Sequence, residues 1–333
     1  MASPNSTFTE IVTTTLREHP KMIYDNVSKN NALLNRLMQR KNTEVLEGGY
    51  EIVQPLEYAE NSTYQRYSGY DQLNIEASDV LTAAKFDWKN VALHVTAAGD
   101  EIRKNSGSKT QIMNLVKARI RNAMNSFSNG YSADVYSDGT ATNQINGLQA
   151  LVSDAGTGTV GGIVSSTYTF WKNIVQSAAA PLQGGGAITP SATTMESLMN
   201  PLWLELTRGT DMPDLIVSSN EYFAFFEAQQ QSLKRYTVGD GSSDGFKASG
   251  GFVSLKYKSA DVIFDGGGKG GGIPSAHMYF LNTKYLGLKM HKDAQMTQLD
   301  TKVSTNQDAE VIPIILMSNL VVSNRSLQGL VKA

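Results

Sequence analysis

The chain has 333 residues, long for a single domain and comfortable for two intermixed ones. Hydrophobic residues make up 41% and charged residues 18%, against about a quarter charged in ordinary globular proteins, and there are 29 Gly and 14 Tyr. That composition is globular, β-inclined and turn-rich, and it excludes collagen, coiled coil and wholesale disorder. Basic and acidic residues number 29 and 31, a formal −2, so bulk charge does not mark a nucleic-acid binder. The absence of cysteine removes disulfide scaffolds, thiol nucleophiles and thiolate metal sites. The opening MASPNSTFTEIVTTTLREHP has neither a basic start nor an apolar run, and no apolar stretch approaches a membrane span, so a soluble protein made and used without export is expected.

Two short helices are predicted first. Thr7 and Glu10 form a capping box ahead of Phe8, Ile11, Val12 and Leu16, and His19-Pro20 ends the turn. Val27, Leu33, Leu34, Leu37 and Met38 make a second stripe, closed by Arg40-Lys41. Gly48-Gly49 then marks a change of period. Tyr50 to Leu56 alternates as a strand, and Phe86 to Val95 does so again, predicting a long hairpin over residues 47 to 95 with an extended, tyrosine-spotted tip. A two-stranded ribbon is not stable alone in water, so the rest of the chain or another subunit must cover it.

Ile112, Val116, Ile120 and Met124 recur every four residues, with Leu115, Ala123 and Phe127 widening the stripe. This predicts a helix over about 108 to 128, stopped at Asn129-Gly130. Helices and strands alternate from 141 to 300. Thr193 and Glu196 suggest a capping box for a helix carrying Met195, Leu198, Met199, Leu202 and Leu206, interrupted by Pro201 and closed by Gly209. Leu215 to Val217 reads as a buried strand, and Glu221 to Gln231 as a helix with Tyr222, Phe225 and Phe226 inward. Residues 252 to 265 and 278 to 290 read as hairpins turning at Lys258-Ser259 and Asn282-Thr283, and 310 to 322 as a last apolar strand.

Motifs of catalysis are missing. His19, His94, His277 and His291 are scattered, without metal-ligand spacing. The run Gly266 to Gly272 around Lys269 lacks the Ser/Thr and the helix of a phosphate loop, and it reads as a flexible connector, as does Gly184-Gly185-Gly186. There is neither a G-x-S-x-G elbow nor a dinucleotide fingerprint. No catalytic, metal or cofactor residue is assigned, and an enzyme would need a site that motif reading does not see.

Charge placement is more informative. From Glu47 to Asp79 there are seven acids, among them Glu51, Glu57 and Glu60, and one base, Arg66: net −6. From Arg103 to Arg121 there are six bases (Arg103, Lys104, Lys109, Lys117, Arg119, Arg121) and no acid: net +6. Either the two blocks balance within one monomer, or an acidic hairpin lies across the basic helix of a neighbouring copy, where complementary potential sets register. In the second case Tyr58, Tyr64, Tyr67 and Tyr70 are amphipathic contact residues. The helix facing a polyanion is an equal alternative.

Taken together, NNALLNRLMQRK, GGYEIVQPLEYAEN, YSGYDQL, LTAAKFDWKNVALHVTAAGDEIRKNSG, TFWKNIV, DLIVSSNEYF, FVSLKYKSADVIFDGG and HMYFLNTKYLGLKM resemble, over nearly the whole chain, the major capsid proteins of tailed bacteriophages with the Hong Kong 97-like fold. The resemblance implies an α+β chain with an N-terminal arm (1–46) and an extended loop (47–95). A peripheral domain (96–140 and 301–333) would be built on a spine helix at about 108–128, beside an axial domain (141–300). It implies self-assembly through pentamers and hexamers into an icosahedral shell around double-stranded DNA, in a virion assembled in the host cytoplasm without a membrane. Expected partners are a separate scaffolding protein, a portal and a decoration protein. Gly184, Gly185, Gly186, Gly267, Gly268, Gly270 and Gly271 would let axial loops adapt to five- and six-fold surroundings. Residues 48 to 84 hold no lysine, so the isopeptide donor by which some relatives weld their shells is not expected in that stretch of the loop. A bacterial protein compartment of the same fold, and more distantly a soluble enzyme or binding module, are the alternatives.

Overall fold

The computed structural model describes residues 31–100, 109–234, 254–265, 272–300, 302–303 and 307–333. The predicted helix at Thr7–Leu16, Val27 and the glycines 267, 268, 270 and 271 lie outside them.

The first described helix, α1 (Ala32–Gln39), starts where Asn31 accepts a hydrogen bond from the Leu34 N–H at 3.0 Å. It buries Leu33, Leu34 and Leu37, as the sequence stripe requires. The Asn31 amide reaches the Ser132 hydroxyl at 2.9 Å, and the Ala32 N–H donates to Asp265 at 3.2 Å. Burial pushes the Asp265 carboxyl up, and the Tyr136 hydroxyl donates to it at 2.5 Å. From the other side of the helix Arg36 Nε meets Asp214 at 3.1 Å, and Arg36 also meets Asp261 at 3.4 Å.

The chain then enters β1 (Thr43–Leu46) and forms the hairpin of β2 (Ile52–Glu57) and β3 (Leu81–Phe86), paired from Ile52 opposite Phe86 to Glu57 opposite Leu81. This corrects the expected ribbon. Its return strand is 81–86, and β4 (Lys89–Ala98) leaves to pair with the strand 309–322 from Ser318 to Ala309. Alternation alone could not separate β3 from β4, because both present an apolar residue at every second position. Only Asp87 and Trp88 stand between them, and the Asn319 amide holds the Asp87 carbonyl at 2.7 Å, where the chain changes sheets.

The spine helix α2 (Lys109–Val135) is longer than predicted, about 40 Å at 1.5 Å per residue. Asn129-Gly130 does not stop it, because the stripe continues at i+4 through Phe127, Tyr131 and Val135, all buried. The Phe127 and Tyr131 rings stack at 5.5 Å, and the Tyr131 hydroxyl lies 3.0 Å from that of Ser318. That burial outweighs the ~1 kcal/mol that an internal glycine costs a helix.

Two sheets carry the rest. A five-stranded sheet has the order β1-β12-β14-β13, with β4 on the free side of β14. Here β12 is Leu286–Gln298, β13 Lys302–Val303 and β14 Ala309–Val322. Ile120 of α2 packs on this sheet against Val95, Ala97, Ile312 and Ile314. The six-stranded sheet has the order β7-β15-β11-β8-β10-β9. Its strands are β7 (Ile174–Ser177), β8 (Leu215–Ser218), β9 (Ser254–Tyr257), β10 (Ala260–Phe264), β11 (His277–Leu281) and β15 (Gly329–Lys332). Between the spine helix and this sheet come the short helix α3 (Leu148–Leu151) and the two-residue strands β5 (Thr159–Val160) and β6 (Ile163–Val164).

Helices α4 (Met195–Leu206) and α5 (Asn220–Lys234) cover the six-stranded sheet. The expected capping box on α4 is absent. Thr194 is the N-cap without a side-chain cap bond, and the Glu196 N–H donates to Gln229 Oε1. Pro201 leaves the Ser197 carbonyl without its helical donor, and the Gln183 amide reaches that oxygen at 3.4 Å. In α5 it is Tyr222, Phe223 and Phe226 that are buried, with Phe225 only half so.

The hairpin β9–β10 forms as predicted, with Lys258 at φ +52 in its turn. The second predicted hairpin does not: β11 and β12 belong to different sheets. The N–H and hydroxyl of Thr283 both bond the Asp214 carboxylate, at 2.6 and 2.7 Å, and a 3-10 turn (Thr283–Tyr285) carries the chain across. The sheets therefore do not divide at residue 300, since β12 pairs with β14 while β15 crosses to the other sheet. Arg325, fully buried, sits at that second crossing. Its guanidinium donates to the Leu151 and Trp171 carbonyls and to the Ser153 and Ser165 hydroxyls at 2.7–3.2 Å. Burial among neutral acceptors lowers its pKa to about 10.

Candidate assembly surface

The hairpin has a sheltered root and an open tip. At the root, Ile52, Leu56, Ala84 and Phe86 are buried in the main core of their own chain. Two glycines set the docking. The β5–β6 turn, Gly161-Gly162, has φ of +60 and +76, which only glycine adopts easily. The Gly161 carbonyl accepts the Lys85 N–H at 2.9 Å, and a side chain at 161 would lie 2.8 Å from Ala84 Cβ. The Trp88 indole donates to the Gly49 carbonyl at 2.9 Å and clamps the two legs together. Lys85 bonds outward from β3, so its pair Val53, and by alternation Pro55 and Glu57, face outward from β2. Pro55 therefore sits where a missing N–H breaks no ladder bond and blunts the free edge against further pairing.

Residues 58 to 80 contain no helix or strand, and polar side chains hold them. Asn61 accepts from the Thr63 N–H at 3.0 Å, the Ser62 N–H donates to Ser78 at 3.3 Å, and Asp71 accepts from the Ser68 N–H at 2.8 Å. Apolar groups are left in water. Fifteen large apolar side chains are exposed among the described residues. Eight of them belong to this hairpin: Tyr50, Val53, Tyr64, Tyr67, Tyr70, Leu73, Ile75 and Leu81. The sequence points to the tip tyrosines and not to Leu73, Ile75 and Leu81. For Leu73 and Ile75 the signal is position, apolar residues in a segment with no helical or strand period, whereas Leu81 opens β3.

The acidic block is partly spent within the chain. Glu51 pairs with Lys85 at 3.6 Å and Glu47 with Lys292 at 2.8 Å, while Asp71 closes its own turn. Glu57 and Glu60 are exposed and make no ion pair with a described residue, and Arg66 is likewise exposed. Tyr58 is half-buried, its ring stacked on Phe170 at 5.6 Å. On the basic side, Arg103 lies outside the described residues, as do the side chains of Lys109 and Lys117. Arg119 donates to the Thr96 carbonyl of β4 at 2.5 Å, and Arg121 is exposed. Gly184, Gly185 and Gly186 are exposed at φ of +73, +87 and +94, with open space where a side chain would go. Among the described residues no three His, Cys, Asp or Glu side chains gather as a metal site requires, and no helix is long and apolar enough to cross a membrane.

Two intermixed sheets, a long helix lying on one of them and a projecting hairpin make up the Hong Kong 97-like α+β fold of tailed-phage capsid proteins. No family model and no curated protein matches the chain. Solved structures do. The capsid asymmetric unit of cyanophage A-1(L) aligns with a TM-score of 0.60 at 15% identity, covering 88% of this chain and 90% of that one. The capsid of an empty GTA particle gives 0.53 at 10% identity, with 88% of each chain covered. The capsid of Myoviridae phage XM1 gives 0.50 at 10% identity, covering 89% and 91%. At these identities the likeness is one of fold.

Proposed function

We propose that this chain is a shell-forming major capsid protein, many copies of which close into an icosahedral head around the double-stranded DNA of a tailed phage. The observation that carries the reading is the concentration of exposed apolar side chains on a projecting hairpin, in a chain whose fold is shared along nearly its whole length with capsid subunits. A monomer that leaves such a surface in water gains by covering it with a copy of itself. Each contact can be weak, because a subunit in a closed shell must break several at once to leave. Glu57 and Glu60 face the basic side of a neighbour's α2 at Arg121, where opposite charge sets register more than affinity. Arg119 is half-engaged by its own β4 and contributes less. A scaffolding protein, a portal, a decoration protein and assembly in the host cytoplasm belong to the same reading, as do axial loops that adapt through Gly184–Gly186.

Electron microscopy and sedimentation of the overexpressed full chain test it, with closed shells expected. A chain that remains monomeric at all concentrations refutes the proposal, and particles holding a protein cargo instead of nucleic acid refute its genomic half. Arg121→Glu should raise the concentration needed for assembly, and Glu57→Lys with Glu60→Lys should restore it in part.

A further inference from the structure

Two acceptors face the two ring nitrogens of His277, the first residue of β11. Nδ1 lies 2.7 Å from the Ser275 carbonyl, and Nε2 lies 3.1 Å from the Asp154 carboxylate. A carbonyl and a carboxylate only accept, so each bond needs a proton on the nitrogen that faces it. The neutral imidazole carries one such proton and the imidazolium two. Both bonds therefore exist together only when the ring is charged. Histidine changes charge between about pH 5 and 8, which places the second bond under the control of mild acid.

Each bond ties down a different segment. The Nδ1 bond reaches back over Ala276, which is held at φ +56, in the left-handed region that a residue with a side chain seldom enters. It closes the turn through which the chain enters β11. The Ile273 N–H fixes the other end of this stretch by donating to the Asp265 carbonyl at 3.0 Å. The Nε2 bond crosses to the loop between α3 and β5, 123 residues away. That loop presents Asp154 from a fixed base. The Ser153 carbonyl accepts from the Asn173 amide at 2.9 Å and from the Gly156 N–H at 3.0 Å, and the Ser153 hydroxyl accepts from Arg325 at 2.9 Å. The His277 side chain is 16% exposed and that of Asp154 52%, so the pair exchanges protons with water while the ring stays largely enclosed.

The neighbours of the ring divide in sign. Asp154 favours its charge, and Lys332, its register partner on β15, opposes it. Tyr279 stacks on the ring at 6.1 Å, and its hydroxyl, kept protonated by burial first and by the Asp154 charge second, adds no charge. On the β8 side stands Ser219, whose N–H donates to the His277 carbonyl at 2.9 Å. Asp265, one strand further, has its carboxylate engaged by Tyr136 and by the Ala32 N–H. We infer that His277 is a proton-dependent clasp between the entry to β11 and the α3–β5 loop, closed in mild acid and half open above neutral pH. The sign follows from the bond count, because a contact that the charged ring makes is present at low pH and is lost as pH rises. Every group belongs to one copy, so the clasp stands apart from the shell-forming reading.

Hydrogen exchange on the unassembled full chain tests it. Rates are read as protection relative to the unfolded chain at the same pH, which removes the intrinsic pH dependence of exchange. The reporter is the Gly156 amide, whose bond to the Ser153 carbonyl lies beside Asp154 on the tethered loop. Losing a half-exposed charged contact should lower its protection by about two- to fivefold between about pH 5 and 8. His277→Gln carries no group that titrates in this range, and its profile should be flat. Asp154→Ala, at an exposed side chain that the fold does not need, removes the acceptor and should be flat as well. A flat profile in the parent overturns the clasp, and so does a fall in Asp154→Ala equal to that of the parent.

Discussion

Gly161→Ala tests how the hairpin is held. The new methyl would sit 2.8 Å from Ala84 Cβ, closer than carbon atoms tolerate, and 3.1 Å from Phe86 Cζ, a tight contact, on a backbone at φ +60. Forcing a non-glycine residue into that conformation costs about 1 kcal/mol, and overpacking a well-filled contact adds about 1–3 kcal/mol. The cheapest relief is to lift β3 off the body, which breaks the bond from the Lys85 N–H to the Gly161 carbonyl. Gly162→Ala is the control. It carries the same kind of strain, at φ +76, but its methyl meets nothing within 4 Å. The difference between the two variants is the packing contribution alone. At tenfold per 1.4 kcal/mol, that difference makes the Lys85 amide exchange roughly 5- to 150-fold faster in Gly161→Ala than in Gly162→Ala. Hydrogen exchange on the unassembled chain reads it directly. Equal rates in the two variants would mean that the hairpin root is not seated on the β5–β6 turn, and the account of its direction would fall.

Two further substitutions probe the body. Arg325→Lys replaces a four-bond fork by a single ammonium with three donors and leaves at least one buried acceptor short. It should lower unfolding stability by about 2–5 kcal/mol in urea titrations, and a loss under ~1 kcal/mol would contradict the pinning role given to this residue. Asp211→Asn addresses pH. The Tyr285 hydroxyl, and after it the Lys284 ammonium, hold the Asp211 carboxyl below its ordinary value of 3.8. A depressed folded-state value means stability that is present above the unfolded-state pKa and is lost as pH falls through the folded-state one. Denaturation midpoints of parent and Asp211→Asn should therefore differ near pH ~6 and draw together as the pH falls through the lowered folded-state value, and a constant gap from neutral to acid pH would rule the linkage out.

Much of this architecture was legible in residue order. The stripes on α1 and α2, the core face of α4, the β9–β10 turn and the last long strand all follow from apolar spacing, because burying one face of a helix or strand is a local periodic demand. The exposed tyrosines of the hairpin were legible too, since no period in that segment could have buried them. The failures share one cause. Apolar spacing makes Phe86 to Val95 one leg of a ribbon and 278 to 290 a hairpin, although in each the chain changes sheets within a few residues. Those crossings are set by Asn319 on the Asp87 carbonyl and by Asp214 on Thr283, partners 232 and 69 residues away. The helix that ran past Asn129-Gly130 did so for Tyr131 and Val135, whose burial depends on a sheet built from the far end of the chain.

By itself, residue order determined which segments have an apolar face, where charge of each sign is grouped, and that no cysteine is present. Tertiary structure alone decided which strand meets which, which acids are already engaged by Lys85 and Lys292, and that the hairpin is covered at its root and bare at its tip. The reason is physical. Periodicity is a property of neighbours along the chain, whereas pairing, ion contact and cover are properties of neighbours in space, and in this fold the deciding neighbours lie tens to hundreds of residues apart.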